Sequence, residues 1–330
     1  MSATLTEPLR NPANSARSTT VVRSLRESDL TRAERMFRLA FGTFLRAPQP
    51  ETFWADRDYV RARWLTNPAS AFGVYRDGDL LGTNFAVSWG SVGFFGPLTI
   101  DPQCWDQGLG AQLVNVVVQR LDRSGVRHAG LFTFAESGKH IGLYQKFGFC
   151  PRFLTAVMSA PVEPVDEVPQ AFRFSMVAKH EEDQCLADCL ELTNKIYDGL
   201  DLRTEIREVR AQQRGDTILL RNDSLLSGLA VCHYGPRSEA GAGACLIKFA
   251  AIRPGPAAQQ SFDRLLIACK RLAMEAGMSR LLAGVNTECS TSYRHLLARN
   301  FRTEMQGVNM HRPNNAGYYR PEIYLLDDWR

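Results

Sequence analysis

Apolar positions along the chain change period from one segment to the next. In "LTRAERMFRLAFGTF" (30–44), Leu30, Ala33, Phe37 and Ala40/Phe41 recur at helical spacing, with Ser28 or Asp29 placed to cap the first turn. Upstream, "VVRSLRESDL" (21–30) reads as a short strand leading into that helix. "VYRDGDLLGTNFAVSWG" (74–90) reads instead as a β-hairpin around Asp77-Gly78. A strand "GFFGPLTID" (93–101) follows, and then the stripe Leu109, Leu113, Val116, Val117, Leu121 predicts a helix from Gly108 to about Ser124. "VRHAGLFTF" (126–134) predicts a strand. "SGKHIGLYQKFGF" (137–149) predicts a short helix stopped at Gly148, with Phe149 as the hydrophobic contact that follows such a stop. The pattern is that of an α+β protein in α/β/α layers, helices packed on both faces of a mixed, mostly antiparallel sheet.

The pattern occurs twice. A shift of 152 residues places Ile252 on Ile100, Pro254 on Pro102, Leu265 on Leu113, Gly277 on Gly125 and Phe301 on Phe149. At a shift of about 145, "LLRNDSLLSGLAVCHYG" (219–235) repeats the hairpin, with Asn222-Asp223 at its turn. Between the copies runs "APVEPVDEVPQ", rich in proline and acid. The expected organisation is a disordered tail over 1–20, a first domain over 21–159, a linker over 160–171 and a second domain over 172–330.

Composition narrows the function classes. A content of 45% hydrophobic and 22% charged residues is that of an ordinary soluble globular protein. The formal charge of +4 suits a small anionic ligand and is too weak to argue for nucleic acid. The eight cysteines include no C-x-x-C pair and no zinc-finger spacing, so neither a metal nor disulfides are expected, and a reducing cytoplasm is. The first twenty residues lack the apolar core of a signal peptide, and no run approaches ~18 apolar residues, so no membrane association is expected.

Candidate chemistry centres on Gly108 and Gly110. A helix N-terminus leaves amide N–H groups unpaired and carries partial positive charge, the generic anion site. Here those amides are Gln107, Gly108, Leu109, Gly110 and Ala111. The third glycine of a dinucleotide fingerprint is replaced by Leu113, and no G-K-[ST] follows, so both common nucleotide loops are excluded. A phosphate cradle and a simple tight turn both fit what remains.

With Gly108 and Gly110 before a helix, and Leu143, Tyr144, Gly148 and Phe149 downstream, residues 21–160 resemble the GCN5-related N-acetyltransferase (GNAT) superfamily. Its loop reads [QR]-x-x-G-x-[GA] and its second motif N-x-x-A-x-x-L-Y-x-x-x-G-F. Trp105, Ser137 and His140 stand at the [QR], Asn and Ala positions. The resemblance implies acyl-coenzyme A, acetyl-CoA by default, with its pyrophosphate on the amides of 107–111 and its pantetheine along Leu98, Thr99 and Ile100. Gly96-Pro97 fits the strand splay that admits the acyl chain. It also implies an acyl-CoA-dependent N-acyltransferase acting on an amine of a small molecule or peptide, as a monomer or homodimer, with Tyr144 protonating the departing thiolate. Ser137 can still hydrogen-bond at its position, and His140, one turn before Tyr144, can relay a proton. No base is evident; Glu136, Asp56 and Asp58 are the candidates, and Phe41, Phe44, Phe53, Trp54, Trp89 and Phe94 are candidate acceptor walls. In the second copy Gln260, Phe262 and Leu296 replace Gly108, Gly110 and Tyr144, so that copy is expected not to bind coenzyme A. A non-catalytic acyl-CoA sensor or scaffold is the alternative.

Overall fold

The computed structural model describes residues 19–164, 170–222 and 225–330. The tail expected over 1–20 therefore lies almost wholly outside the described residues, as do the middle of the linker and the Asp223 side of the second hairpin turn.

The first half runs β1 (Thr20–Ser24), α1 (Leu30–Phe44), α2 (Val60–Thr66), β2 (Ala71–Arg76), β3 (Asp79–Trp89), β4 (Val92–Phe95), β5 (Thr99–Ile100), α3 (Leu109–Arg123), β6 (His128–Thr133), α4 (Gly138–Gln145) and β7 (Cys150–Pro161). The second runs β8 (Ala171–Arg173), α5 (Glu182–Ile196), α6 (Arg203–Ala211), β9 (Gly215–Asn222), β10 (Leu225–Gly235), β11 (Gly241–Ile252), α7 (Ala258–Glu275), β12 (Arg280–Asn286), α8 (Ser290–Ala298), β13 (Arg302–Arg312) and β14 (Leu325–Asp327). The elements α5, β12, α8 and β13 each begin 152 residues after α1, β6, α4 and β7. No helix among the described residues is long and apolar enough to cross a membrane.

Alternation along the strands assigns the helices to faces. Ala71, Tyr75, Leu80 and Phe85 pack with α1 and α2, whereas Phe72, Val74, Leu81 and Ala86 pack with α3. Successive strand side chains point to opposite faces, so one hairpin serves both helical layers. Its turn is tight: Asp77 and Gly78 both have positive φ, 51° and 90°, as a two-residue hairpin loop of this twist requires.

Three expectations are corrected locally. Asp29 occupies the N-cap of α1, but its side chain makes no cap bond; it accepts from the Arg26 N–H and the Tyr75 hydroxyl instead. The single strand expected over 93–101 is two, divided at a cis Gly96-Pro97 bond. Strand β7 runs through Pro161 and β8 begins at Ala171, so both ends of the expected linker are strand.

The two halves do not form separate sheets. The strand order is β1-β2-β3-β4-β6-β13-β7-β12-β11-β10-β9-β8, with β5 on β3 and β14 on β11. Strand β13 of the second half lies between β6 and β7 of the first, and β7 in turn pairs with β12. Each half thus completes its sheet with the other's last long strand. Residues 313–330 then enter the opening beyond the short parallel pairing of β11 with β12. There β14 pairs with Phe249–Ala251, and a Cβ on Gly284 of β12 would come within 2.1 Å of the Asp327 carbonyl oxygen.

Candidate active site

The cleft of the first half opens where β4 and β6 part. They run parallel over Val92–Phe94 and His128–Gly130; beyond that, β6 continues beside β13. The other strand turns at Gly96-Pro97 and rejoins β3 with Thr99 opposite Thr83. The Asp101 N–H donates to the Leu81 carbonyl at 2.9 Å, so Thr99 and Asp101 face β3, and Leu98 and Ile100 face the cleft. Trp105 Nε1 occupies the Ile100 carbonyl at 2.9 Å. Among the described residues no backbone carbonyl accepts from the Leu98 N–H.

The N-terminus of α3 faces the same opening. Gly108 caps it with φ 77°, in the left-handed region, where an L side chain is strained. A Cβ at Gly108 would meet nothing within 4 Å, so backbone conformation rather than crowding accounts for this glycine. A Cβ at Gly110 would touch Leu143 at 3.5 Å and Leu98 at 3.8 Å, placing that position on the cleft wall between loop and strand. Lys139 pairs with Asp106 at 2.6 Å beside this end, and Arg76 donates to Gln107 at 2.8 Å.

The resulting cavity measures about 640 Å³, within the range of small-molecule and cofactor sites. Of the residues singled out from sequence, Leu98, Ile100, Gly108, Leu109, Gly110, Ala111, His140 and Tyr144 line it together. Thr99, Gln107 and Ser137 do not. The Thr99 side chain is buried, on a strand that pairs with β3, the Gln107 side-chain oxygen accepts from Arg76, and the Ser137 hydroxyl caps α4 by accepting from the His140 N–H at 3.4 Å. Ser137 is a helix cap here, one reason a short polar residue suits this position.

Tyr144 is 7% exposed, and its ring meets the Phe95 ring edge-on at 5.8 Å. Burial pushes its phenol above the ordinary tyrosine value, so it is protonated throughout the neutral range. The His140 ring lies 4.9 Å from Phe44; burial, and then neighbouring Lys139, lower its pKa and keep it neutral. None of the candidate bases lines the cavity. Glu136 is exposed, Asp56 accepts from the Ala242 N–H at 2.6 Å, and Asp58 caps α2 through the amides of Arg61 and Ala62.

Beyond Tyr144 the cavity is aromatic. Phe44 lies 5.1 Å from Phe134, Trp54 stacks 5.9 Å from Tyr59, and Phe37 closes on Tyr59 at 5.5 Å. Of the other expected walls, Phe53 only backs Trp54, while Trp89 and Phe94 are buried core. Residues 329 and 330 also reach this cavity: Trp329 lies flat against Phe94, 5.9 Å away at 7°, over Gly130, where a side chain would collide with the indole. Nothing in the local sequence flags Trp329, although Gly130 inside the buried strand β6 is the trace of that close approach.

A buried ion group holds the floor to the second half. Arg63 donates through Nε and Nη2 to Glu239 Oε1, at 3.0 and 2.9 Å, and through Nη1 to the Gly96 carbonyl at 2.5 Å. Lys248 reaches Glu239 Oε2 at 2.6 Å. Burial alone would raise the Glu239 carboxyl, but the Arg63 and Lys248 cations outweigh it and bring it down to about 2. The Gly96-Pro97 turn is thereby anchored through Arg63, which also bonds the carbonyl of Arg330.

Comparison with known proteins agrees with this geometry. Residues 33–149 match the model of the Acetyltransferase (GNAT) family. No curated protein matches the chain in sequence. Among solved structures, a Pyrococcus horikoshii protein assigned to the acetyltransferases superposes with a TM-score of 0.68 at 11% identity, covering 99% of this chain and 98% of its own. A GCN5-related N-acetyltransferase from Sphaerobacter thermophilus gives 0.58 at 14% identity, covering 89% and 95%. At these identities the likeness is one of fold, and it extends over both halves. Loop, splayed strands and family match fall on the same stretch: residues 33–149 constitute a GNAT-family domain.

Proposed function

We propose that this protein is an acyl-CoA-dependent N-acyltransferase, using acetyl-CoA by default, whose chemistry is performed by the first half. The observation that carries the reading is the convergence, on one cavity, of the α3 amide end, the Leu98 N–H and Tyr144. The residues present fit acyl-CoA. The amides at Gly108 to Ala111 suit its pyrophosphate, with Lys139 and Arg76 near, and Leu98 and Ile100 offer backbone groups to its pantetheine. In the transfer, the acceptor nitrogen attacks the thioester carbonyl carbon. The Leu98 N–H stabilises the developing oxyanion, the C–S bond breaks, and Tyr144 gives its proton to the thiolate. His140, neutral and in the same cavity, is placed to accept the proton the nitrogen loses.

The second half is proposed as a companion that binds no coenzyme A, since β14 lies along the opening corresponding to the first cleft. A cytoplasmic location belongs to the same reading, and the eight cysteines, all free thiols, support it.

Calorimetric titration of acetyl-CoA, followed by assay of free-thiol release with an amine panel, tests the proposal. Micromolar binding with acceptor-dependent thiol release supports it. Binding without turnover would make the protein an acyl-CoA sensor, and no binding would overturn both readings.

A further inference from the structure

The acceptor end of the cavity is apolar and aromatic, and its charges are already matched. Asp106 is the single acidic side chain lining it among the described residues, and Lys139 pairs with it. The carboxylates buried beneath the floor are likewise taken, Glu239 by Arg63 and Lys248 and Asp328 by Arg330. A protonated alkylamine entering here would lose water and find, among the described residues, no acidic side chain left without a cation. Aromatic faces attract cations, but an ammonium held that way has no lone pair for attack. With an amine pKa near that of lysine, about 10.4, only about one molecule in a thousand is free base at neutral pH. His140, which lines the cavity, has its basicity lowered by burial and by Lys139, so it is poorly suited to deprotonating an ammonium.

From this we infer that, on the acyl-transfer reading above, the acceptor is an aromatic amine, a nucleophile already neutral at physiological pH and shaped for the cage of Phe37, Phe44, Trp54, Tyr59 and Phe134. The lone pair of an arylamine is delocalised into its ring, so the nitrogen carries no proton to remove before attack. The balanced reaction joins the arylamine nitrogen to the acyl carbon and breaks the C–S bond. The thiolate takes the Tyr144 proton, the proton lost from nitrogen passes by way of His140 or water back to Tyr144, and the products are an arylamide and free coenzyme A. The flat ring enters between Phe44 and Trp54, displacing water from surfaces that hydrate poorly.

The test compares three acceptors of similar size at fixed acetyl-CoA: aniline, cyclohexylamine and 2-phenylethylamine, which separate charge from shape. The expected result at pH 7 is a kcat/KM for aniline at least about 100-fold above both alkylamines. Its pH profile should stay flat from 7 to 9, whereas alkylamine rates climb about tenfold per unit as free base forms. Phe44→Glu, which supplies a carboxylate at a half-exposed position, should narrow the preference at least tenfold; a melting curve confirms that the variant folds. Efficient turnover of either alkylamine over aniline overturns the inference while leaving acyl transfer intact. Acetyl-CoA binding with no turnover of aniline also overturns it. Absence of acetyl-CoA binding sinks the underlying reading, and calorimetry run first distinguishes these failures.

Discussion

The ring of Tyr324 packs against that of Phe262, centroids 4.9 Å apart, at the place in the second half where the first has Gly110. Phe262 lies in the first turns of the buried stripe of α7, followed by Leu265, Leu266 and Cys269. Its partner comes from the segment that continues as β14, whose approach is fixed by the Ile252 N–H donating to the Tyr324 carbonyl and the Asp328 N–H to the Lys248 carbonyl. The opening that forms the cavity of the first half is therefore filled by chain in the second.

This yields the first prediction. Phe262→Ala removes a fully buried ring and should cost about 3–5 kcal/mol in stability. It should not create a second acyl-CoA site, because β14 remains in the opening. Titration of the variant with acetyl-CoA is expected to show the wild-type stoichiometry; a doubling would mean that Phe262 alone closes the second cleft.

Tyr144→Phe keeps the packing of the ring on Phe95 and removes only the hydroxyl. The expected outcome is a loss of about 10²–10⁴ in kcat, the usual share of a general acid, with acetyl-CoA affinity changed little. Steady-state thiol release and calorimetry read the two quantities separately. An unchanged kcat would assign protonation of the thiolate to solvent.

At Gly110 even a methyl group would stand in contact with Leu143 and Leu98, so a larger side chain must extend into the cavity. Gly110→Phe reproduces the residue of the second half and should abolish acetyl-CoA binding. Because Gly110 is partly exposed within α3, its melting temperature is expected to stay within a few degrees of wild type. Retained micromolar affinity would move the pyrophosphate away from this helix end.

Much of this was legible in the sequence because it is local. The α3 stripe, the Asp77-Gly78 turn, the Gly148 stop and the interval of 152 residues depend on neighbours within a few positions or on self-similarity. What was not legible is non-local. Nothing along Arg302–Arg312 says that this strand leaves its own half to lie between β6 and β7, since either half offers the same ladder of backbone groups. Trp329 reached the cavity and β14 the second cleft through pairings whose local traces are only Gly130 and Gly284, where another residue approaches the backbone. Ser137 stands at a motif position and Thr99 on the strand expected to carry pantetheine, yet the first caps a helix and the second turns its side chain into the interior. The candidate bases Glu136, Asp56 and Asp58 lie outside the cavity, whereas the buried acid at this floor, Glu239, is committed to two cations.

That commitment makes stability sensitive to acid. The folded pKa of Glu239 is brought down to about 2 from the ordinary glutamate value of 4.5. A depressed carboxyl contributes stability that is complete above its unfolded pKa and is lost as pH falls through 4.5 toward the folded value. The shift corresponds to about 3 kcal/mol, and Glu205, brought down to about 2 against its own burial chiefly by its bond to His233, acts in the same direction. Urea unfolding of wild type should therefore hold a steady midpoint at neutral pH and decline steeply between pH 4.5 and 3. Glu239→Gln removes this carboxyl and strands Arg63 and Lys248 in a buried site, so at pH 7 it should be less stable by about 3–5 kcal/mol. Its stability should also fall less with acid, by about 1.4 kcal/mol per pH unit less over that window, leaving the Glu205 contribution. Equal acid slopes for the two proteins would show that Glu239 is not held ionised by Arg63 and Lys248, and that the anchor of the Gly96-Pro97 turn rests on hydrogen bonding alone.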